Sequence, residues 1–320
     1  MNVLVTGGAG YIGSHMVKLL GERGHAVVVL DDLSTGHRDS VRSGRFVQGD
    51  IGDGALTRSL LEAGKIQAVV HFAGSSLVAE SVADPEKYRR NNLENTRALV
   101  AAMRAAGVDK LVFSSSAAVY GEPKHVPIEE SHPTEPLNPY GESKLAIERA
   151  LGQAQGLRHV SLRYFNAAGA DPGGALGERH DPETHLIPIA LQAASGRRAA
   201  VSIFGSDYPT RDGTCVRDYV HVSDLCEAHL LALDWLERGG EKESLNLGTG
   251  AGATVLEVIE EVRRQTGRDF AVKREVRRAG DPASLVASRA RAERILGWHP
   301  QRSELATIVQ DAWRWERARR

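Results

Sequence analysis

Tyr140 and Lys144 stand four residues apart in Tyr140-Gly141-Glu142-Ser143-Lys144. A helix through them carries a phenol and an ammonium one turn apart on the same face. That spacing suits a phenol used as a base. Free tyrosine titrates near ~10 and a general base works best near ~7, a gap of roughly 4 kcal/mol. One ammonium at about 4 Å supplies about 1 kcal/mol in water and about 4 kcal/mol at an effective dielectric near 20. The pair therefore needs a partly desolvated site or a second positive charge. Ser114-Ser115-Ser116 closes the apolar run that begins at Lys110. Those hydroxyls then lie at the carboxyl end of a strand, where doubly wound sheets bind ligands.

A second constellation is Thr6-Gly7-Gly8-Ala9-Gly10-Tyr11-Ile12-Gly13, between an apolar run and a helical pattern. Glycines at 7, 10 and 13 allow a tight turn, close approach to a pyrophosphate and helix-on-sheet packing. The free N–H groups of the helix start then face the phosphates. Asp31 ends the second apolar run, eighteen residues beyond Gly13, about where a carboxylate meets the adenosine ribose. A carboxylate accepts bonds from a 2′-hydroxyl and repels a 2′-phosphate, so NAD is expected over NADP. Gly248-Thr249-Gly250-Ala251-Gly252 looks similar, but no acidic residue closes a following strand at the right distance. It reads as a tight turn.

These residues need elements to position them. Apolar runs at 3–5, 26–30, 68–72 and 110–113 read as buried strands. Helical spacing occupies 12–20, 55–61 and 93–106, the last with Leu93, Thr96, Leu99, Val100 and Met103 on one stripe. The alternation predicts a parallel sheet with helices on both faces. Asn138-Pro139 starts a helix that runs through Leu151 into a strand at 159–164. The glycine- and proline-containing stretch 170–182 reads as a loop, lid or domain joint. Beyond it, helices are expected from 186, over 223–235 and 254–265, and through Leu305 to Trp313, with strands near 201–204 and 216–222.

Composition narrows the function classes. The 320 residues carry 40 Lys+Arg against 41 Asp+Glu, a balance that argues against nucleic-acid binding. The arginines at 314, 317, 319 and 320 read as cations complementing a helix C-terminus. No apolar run approaches a membrane span, and the N-terminus carries no secretory pattern. Two cysteines, Cys215 and Cys226, make no disulfide framework. A cytoplasmic protein is expected. His180 and His185, in His-Asp-Pro-Glu-Thr-His, match no common metal-ligand spacing, so no metal is expected.

With those motifs in view, the chain resembles the extended short-chain dehydrogenase/reductase family, and over nearly its whole length the nucleotide-sugar epimerases within it. The matches include residues 7–15, Gly49-Asp50-Ile51, His71-Phe72-Ala73-Gly74, Asn91-Asn92, 114–121, 139–144, 163–166, 205–222, Asn246-Leu247-Gly248 and 277–281. Asp207-Tyr208-Pro209-Thr210, Asp212-Gly213-Thr214 and Arg217-Asp218-Tyr219 are particular to the epimerases. The resemblance implies a Rossmann-type doubly wound parallel sheet with a smaller C-terminal α/β substrate-binding domain. Residues 1–168 would hold NAD and 169–320 mainly the UDP-sugar, with segments near 216–250 returning to the first domain.

The implied reaction interconverts UDP-glucose and UDP-galactose at C4 through a 4-keto sugar that rotates before it is re-reduced. Tyr140 would be the base, Ser116 the proton relay, and Lys144 the group that lowers the tyrosine pKa and binds the ribose. Tyr11, Ile12, Asp31, Asp50, Ile51, Phe72, Ala73, Gly74, Asn91 and Phe165 would line the cofactor. Asn166, His185, Leu186, Ser202, Ile203, Phe204, Arg217, Tyr219, Arg278, Asp281 and Leu285 would meet the UDP-sugar. Related dehydratases place Asp-Glu after the catalytic Ser/Thr, because elimination needs an acid. Here those positions are Ala117 and Ala118, which favours epimerisation. The chain departs from relatives at Ser76, Asn95, His185 and Leu285. Leucine at 285 is intermediate between the tyrosine that excludes N-acetylated sugars and smaller residues that admit them, so weak UDP-GlcNAc turnover is expected. A homodimer through helices near 92–106 and 140–153 is also implied.

Overall fold

A computed structural model describes residues 1–278 and 280–319 of the chain. The first half runs β1 (Asn2–Thr6), α1 (Tyr11–Glu22), β2 (Ala26–Asp31), β3 (Arg45–Gln48), α2 (Gly54–Ala63) and β4 (Ala68–His71). It continues through α3 (Val78–Ala83), α4 (Pro85–Tyr88), α5 (Asn95–Ala105), β5 (Lys110–Ser114), α6 (Pro139–Gln153), β6 (Arg158–Arg163) and β7 (Asn166–Ala168). The second half holds α7 (Leu186–Ala194), β8 (Ala200–Phe204), β9 (Val216–Arg217), β10 (Tyr219–His221), α8 (Val222–Glu237), β11 (Glu243–Asn246) and β12 (Ala253–Thr254). Then follow α9 (Val255–Thr266), β13 (Ala271–Glu275), β14 (Ser284–Leu285), α10 (Ala290–Leu296) and α11 (Leu305–Ala318).

Seven parallel strands form the main sheet in the order β11-β6-β5-β4-β1-β2-β3. This is the expected doubly wound sheet. Strand order reverses between β1 and β4, and the crevice outside their carboxyl ends is the ligand position of such sheets. The two-residue period of a strand builds both faces at once. Val3 and Val5 enter one core with Met16, Leu20, Leu225 and Leu233, while Leu4 enters the other with Leu61, Leu99, Met103 and Ile147. The α5 stripe therefore faces the sheet. A separate core joins α7, α9 and α11 to β8, through Ile187, Ile203, Val258, Ile308 and Trp313.

Two expectations need correction. The helix expected over 93–106 is α5 preceded by a π-helical segment, Arg89–Glu94. Within it, Asn92 gives its side chain to Ser75 and Ser143 rather than to a regular surface. The single strand expected over 216–222 is two, β9 and β10, belonging to different small sheets. Between them, buried Asp218 accepts bonds from Thr249 and from the Ala287 N–H. That carboxylate organises the second glycine cluster as a turn. Strands β3 and β13 and helices α3, α4 and α10 were not expected.

Candidate active site

Beyond the end of β5 and Ser115, Ser116 caps the short turn Ala117–Tyr120, its hydroxyl accepting the Ala118 N–H at 3.1 Å. Helix α6 begins where Asn138 accepts the Gly141 N–H at 2.9 Å, with proline in its first turn. That cap sets Tyr140 at the helix start, near enough to Ser116 for the serine hydroxyl to act on the phenol. Burial pushes the Tyr140 phenol up, and the Ser116 hydroxyl draws it back. One turn on, Lys144 is 5% exposed. Its ammonium donates to the Ser114 carbonyl at 2.9 Å and stands 5.9 Å from the centre of the Tyr140 ring. Burial lowers the Lys144 pKa to about 8, against an upward pull from Glu148.

Beneath the pair lies a buried polar chain that sequence reading missed. Ser115 donates to Glu148 at 2.5 Å, and Glu148 accepts from Arg163 Nε at 2.8 Å. Arg163 donates to the Tyr120 hydroxyl at 2.8 Å, and Tyr120 to Asn246 at 2.8 Å. Glu148 lies one turn beyond Lys144, so this chain ties α6 to β5, β6 and β11.

The fingerprint lies as a dinucleotide would need. Gly7 adopts φ +71°, and a Cβ there would come within 2.5 Å of the Ala73 nitrogen; one on Gly13 would come within 2.1 Å of the Gly7 oxygen. The loop after β1 thus rests against Phe72-Ala73-Gly74. Gly10 begins α1 with no side-chain cap and no acidic residue in the first turn, leaving the N–H groups of Tyr11, Ile12 and Gly13 at a positive helix end. Asp31 accepts the Ala9 and Leu33 N–H groups at 2.9 and 2.8 Å, and burial raises its pKa. Asp50 is oriented by the Gly52 N–H and by Asn95, each at 2.8 Å. Asn95 is thus an orienting group. Ile51 is buried, Phe72 stacks on His229 at 4.7 Å, and Asn91 donates to Ser75. The uncapped helix end and the oriented carboxylates fit a dinucleotide.

Toward the second half, Asn166 pairs in register with Tyr219, itself 8% exposed. Arg217 donates to the Pro282 carbonyl at 2.9 Å and pairs with Asp281, and Leu285 runs in register with Arg217. Leu285 and Phe165 pack on a cluster containing Ala117 and Leu145, which brings them beside the Ser116 turn. Arg278 lies 3.8 Å over the Phe204 ring. On β8, Ser202 and Phe204 are partly exposed, but Ile203 is 1% exposed and turned into the core. With its side chain in the core, Ile203 could meet a ligand only through its backbone.

His185 precedes Leu186 at the start of α7, and its imidazole engages Glu178 instead of standing free. The segment from which no metal was expected folds so that Glu178, His180, Glu183 and His185 bring ligand atoms within 4.8 Å of one another. Burial acts against charging His180, but bonds to Glu178 and Glu183 push it up to about 10. No helix among the described residues is long and apolar enough to cross a membrane.

The profile of the NAD dependent epimerase/dehydratase family matches residues 3–248. The UDP-glucose 4-epimerase of Halalkalibacterium halodurans is 52% identical over 320 residues, covering 99% of this chain and 96% of the relative. The crystal structure of UDP-glucose 4-epimerase from Brucella ovis in complex with NAD superposes with a TM-score of 0.96 at 51% identity, covering 98% of this chain and 97% of that one. A Stenotrophomonas maltophila UDP-glucose-4-epimerase with bound NAD and formylated UDP-arabinopyranose gives 0.96 at 42% identity, covering 100% and 98%.

Proposed function

The chain belongs to the NAD dependent epimerase/dehydratase family, and from that premise we propose that it interconverts UDP-glucose and UDP-galactose by inversion at C4. The observation that carries the proposal is the convergence of Ser116, Tyr140 and Lys144 at the carboxyl end of β5, with the Lys144 ammonium bonded to the Ser114 carbonyl and 5.9 Å from the centre of the phenol ring. Bound NAD would supply the hydride acceptor and, once reduced, the donor, with a positive ring charge in its oxidised form. The N-terminus of α1 holds its pyrophosphate, and Asp31 its adenosine ribose. Asp50, Ile51, Phe72, Ala73, Gly74, Asn91 and Phe165 line the rest of its site.

Tyr140 Oη takes the proton from the sugar 4-hydroxyl, and Ser116 Oγ holds the same oxygen and relays that proton. Burial raises the Tyr140 pKa, so the phenolate depends on Ser116, the Lys144 ammonium and the cofactor's charge acting together. Lys144 also binds the nicotinamide ribose. The 4-keto sugar turns about its diphosphate tether, and Tyr140 Oη returns the proton when the opposite face is reduced. Ala117 and Ala118 offer no acid for elimination, which supports epimerisation over dehydration.

Arg217 and Arg278 suit the diphosphate, since a guanidinium binds two oxygens with one planar fork. Asn166, His185, Leu186, Ser202, the Ile203 backbone, Phe204, Tyr219, Asp281 and Leu285 complete the UDP-sugar site. Leu285 leaves room for weak turnover of UDP-GlcNAc. Residues 1–168 form the NAD-binding part and 169–320 mainly the sugar-nucleotide part. The place of β11 in the main sheet supports the return of 216–250 to the first. The functional form is a homodimer through α5 and α6, and the two buried thiols suit the cytoplasm. Incubating the purified protein with UDP-galactose tests the function: UDP-glucose should accumulate to equilibrium without net reduction of NAD. Failure to form it, with cofactor bound, would refute the proposal.

A further inference from the structure

Residues 178–185 carry more ionisable side chains than the proposed reaction uses. Glu178 and Glu183 face one another's partners with side chains only 5% exposed. Two carboxylates withdrawn from water are costly unless cations meet them. Arg179, between them in sequence, turns away to Asp39. What meets them is a pair of imidazoles: His180 Nδ1 lies 3.0 Å from Glu178 and 3.9 Å from Glu183, and His185 Nδ1 contacts Glu178 and lies 3.9 Å from Glu183. The two rings are 5.2 Å apart. Charging both imidazoles sets two like charges side by side. One divalent cation balances the two carboxylates with both imidazoles neutral.

The distances fit such an ion. In a tetrahedral site with bonds of about 2.0–2.1 Å, neighbouring ligand atoms lie about 3.4 Å apart. Here the measured separations fall on either side of that value, and all four ligand atoms lie within 4.8 Å of one another. Two imidazole nitrogens with two carboxylate oxygens suit zinc better than calcium or magnesium, which take oxygen alone. Four protein ligands leave no open position, as in structural zinc sites.

We propose that Glu178, His180, Glu183 and His185 form a structural zinc site that staples this loop between the fingerprint helix and α7. The surroundings give the staple its consequence. The Tyr11 ring meets His180 edge-on at 6.2 Å, and His37 bonds the Arg179 carbonyl at 2.9 Å. On the other side, Trp315 and Arg319 of the C-terminal segment hold the Glu178 carbonyl. His185 leads straight into α7. The ion would therefore fix the loop that joins the cofactor side to the sugar-nucleotide side.

The test uses the full-length protein, stripped with a chelator and then titrated calorimetrically with zinc, magnesium or calcium chloride. One zinc per chain is expected, with magnesium and calcium not competing, and saturating zinc should raise Tm by a few degrees. Cobalt(II) in place of zinc should show the visible absorption of a tetrahedral site. His180→Ala and the milder Glu183→Gln should each weaken zinc binding by about tenfold or more. Failure of the wild-type chain to bind zinc stoichiometrically would overturn the proposal. So would zinc binding unchanged in both variants, which would place the ion elsewhere.

Discussion

Leu285 runs in register with Arg217 and packs on the cluster that contains Ala117, immediately after Ser116. In the proposed site a larger side chain there would fill the space an N-acetyl group needs, and a smaller one would open it. Shape discrimination in a pocket is typically worth about ten- to two-hundredfold. Leu285→Tyr should therefore cut UDP-GlcNAc turnover by about tenfold or more and leave UDP-galactose turnover within about twofold. Leu285→Ala should move the ratio the other way. Steady-state rates on both substrates decide this, and an unchanged ratio in both variants would remove Leu285 from the specificity account. The residues at 117 and 118 were legible in sequence because they adjoin the catalytic serine. Asn95 was only a departure from relatives there, because its bond to Asp50 spans 45 positions.

Helix α6 carries Tyr140 and Lys144 on its first turns and Glu148 one turn later. The Glu148–Arg163 pair is almost wholly buried, with side-chain exposures of 7% and 8%, and it joins α6 to β6. Removing one partner of a buried pair costs about 3–5 kcal/mol, because the other charge is left unmatched. Glu148→Ala should lose about that much stability in urea and lower kcat through the displaced helix start. The double variant Glu148→Leu, Arg163→Met should recover most of the stability. A loss below about 1 kcal/mol in the single variant would contradict the role given to the pair.

At this scale the main strands and long helices were legible, since two- and 3.6-residue periods state which faces are buried. The start of α6 was legible from Asn138 and Pro139. Strand β3 was not: Arg45 and Gln48 are exposed and its apolar residues only half-buried. Nor were the break at Asp218 or the π-helical segment, where single buried side chains override the local pattern. The ligand-like cluster at 178–185 matches no common metal-ligand motif, and the folded loop assembles it.

For the whole molecule, buried histidines set the acid limit. Burial lowers His15, His159 and His229 from 6.5 to about 4, and His71 to about 3. Their folded values lie below the unfolded one. Their contribution is therefore complete above pH 6.5 and lost as pH falls toward 4. At about 1.4 kcal/mol per pKa unit, the four together remove on the order of 10 kcal/mol, comparable with the stability of a typical fold. Circular dichroism should show unfolding between pH 6 and about pH 4; a fully native spectrum at pH 4 would contradict the neutral burial of these rings. The account as a whole turns on the Tyr140 phenol as the proton-transferring base, and the most direct measurement is the rate of UDP-glucose formation from UDP-galactose by Tyr140→Phe with NAD bound. The rate should fall by about 10²–10⁴-fold; turnover at the parental rate would contradict the account.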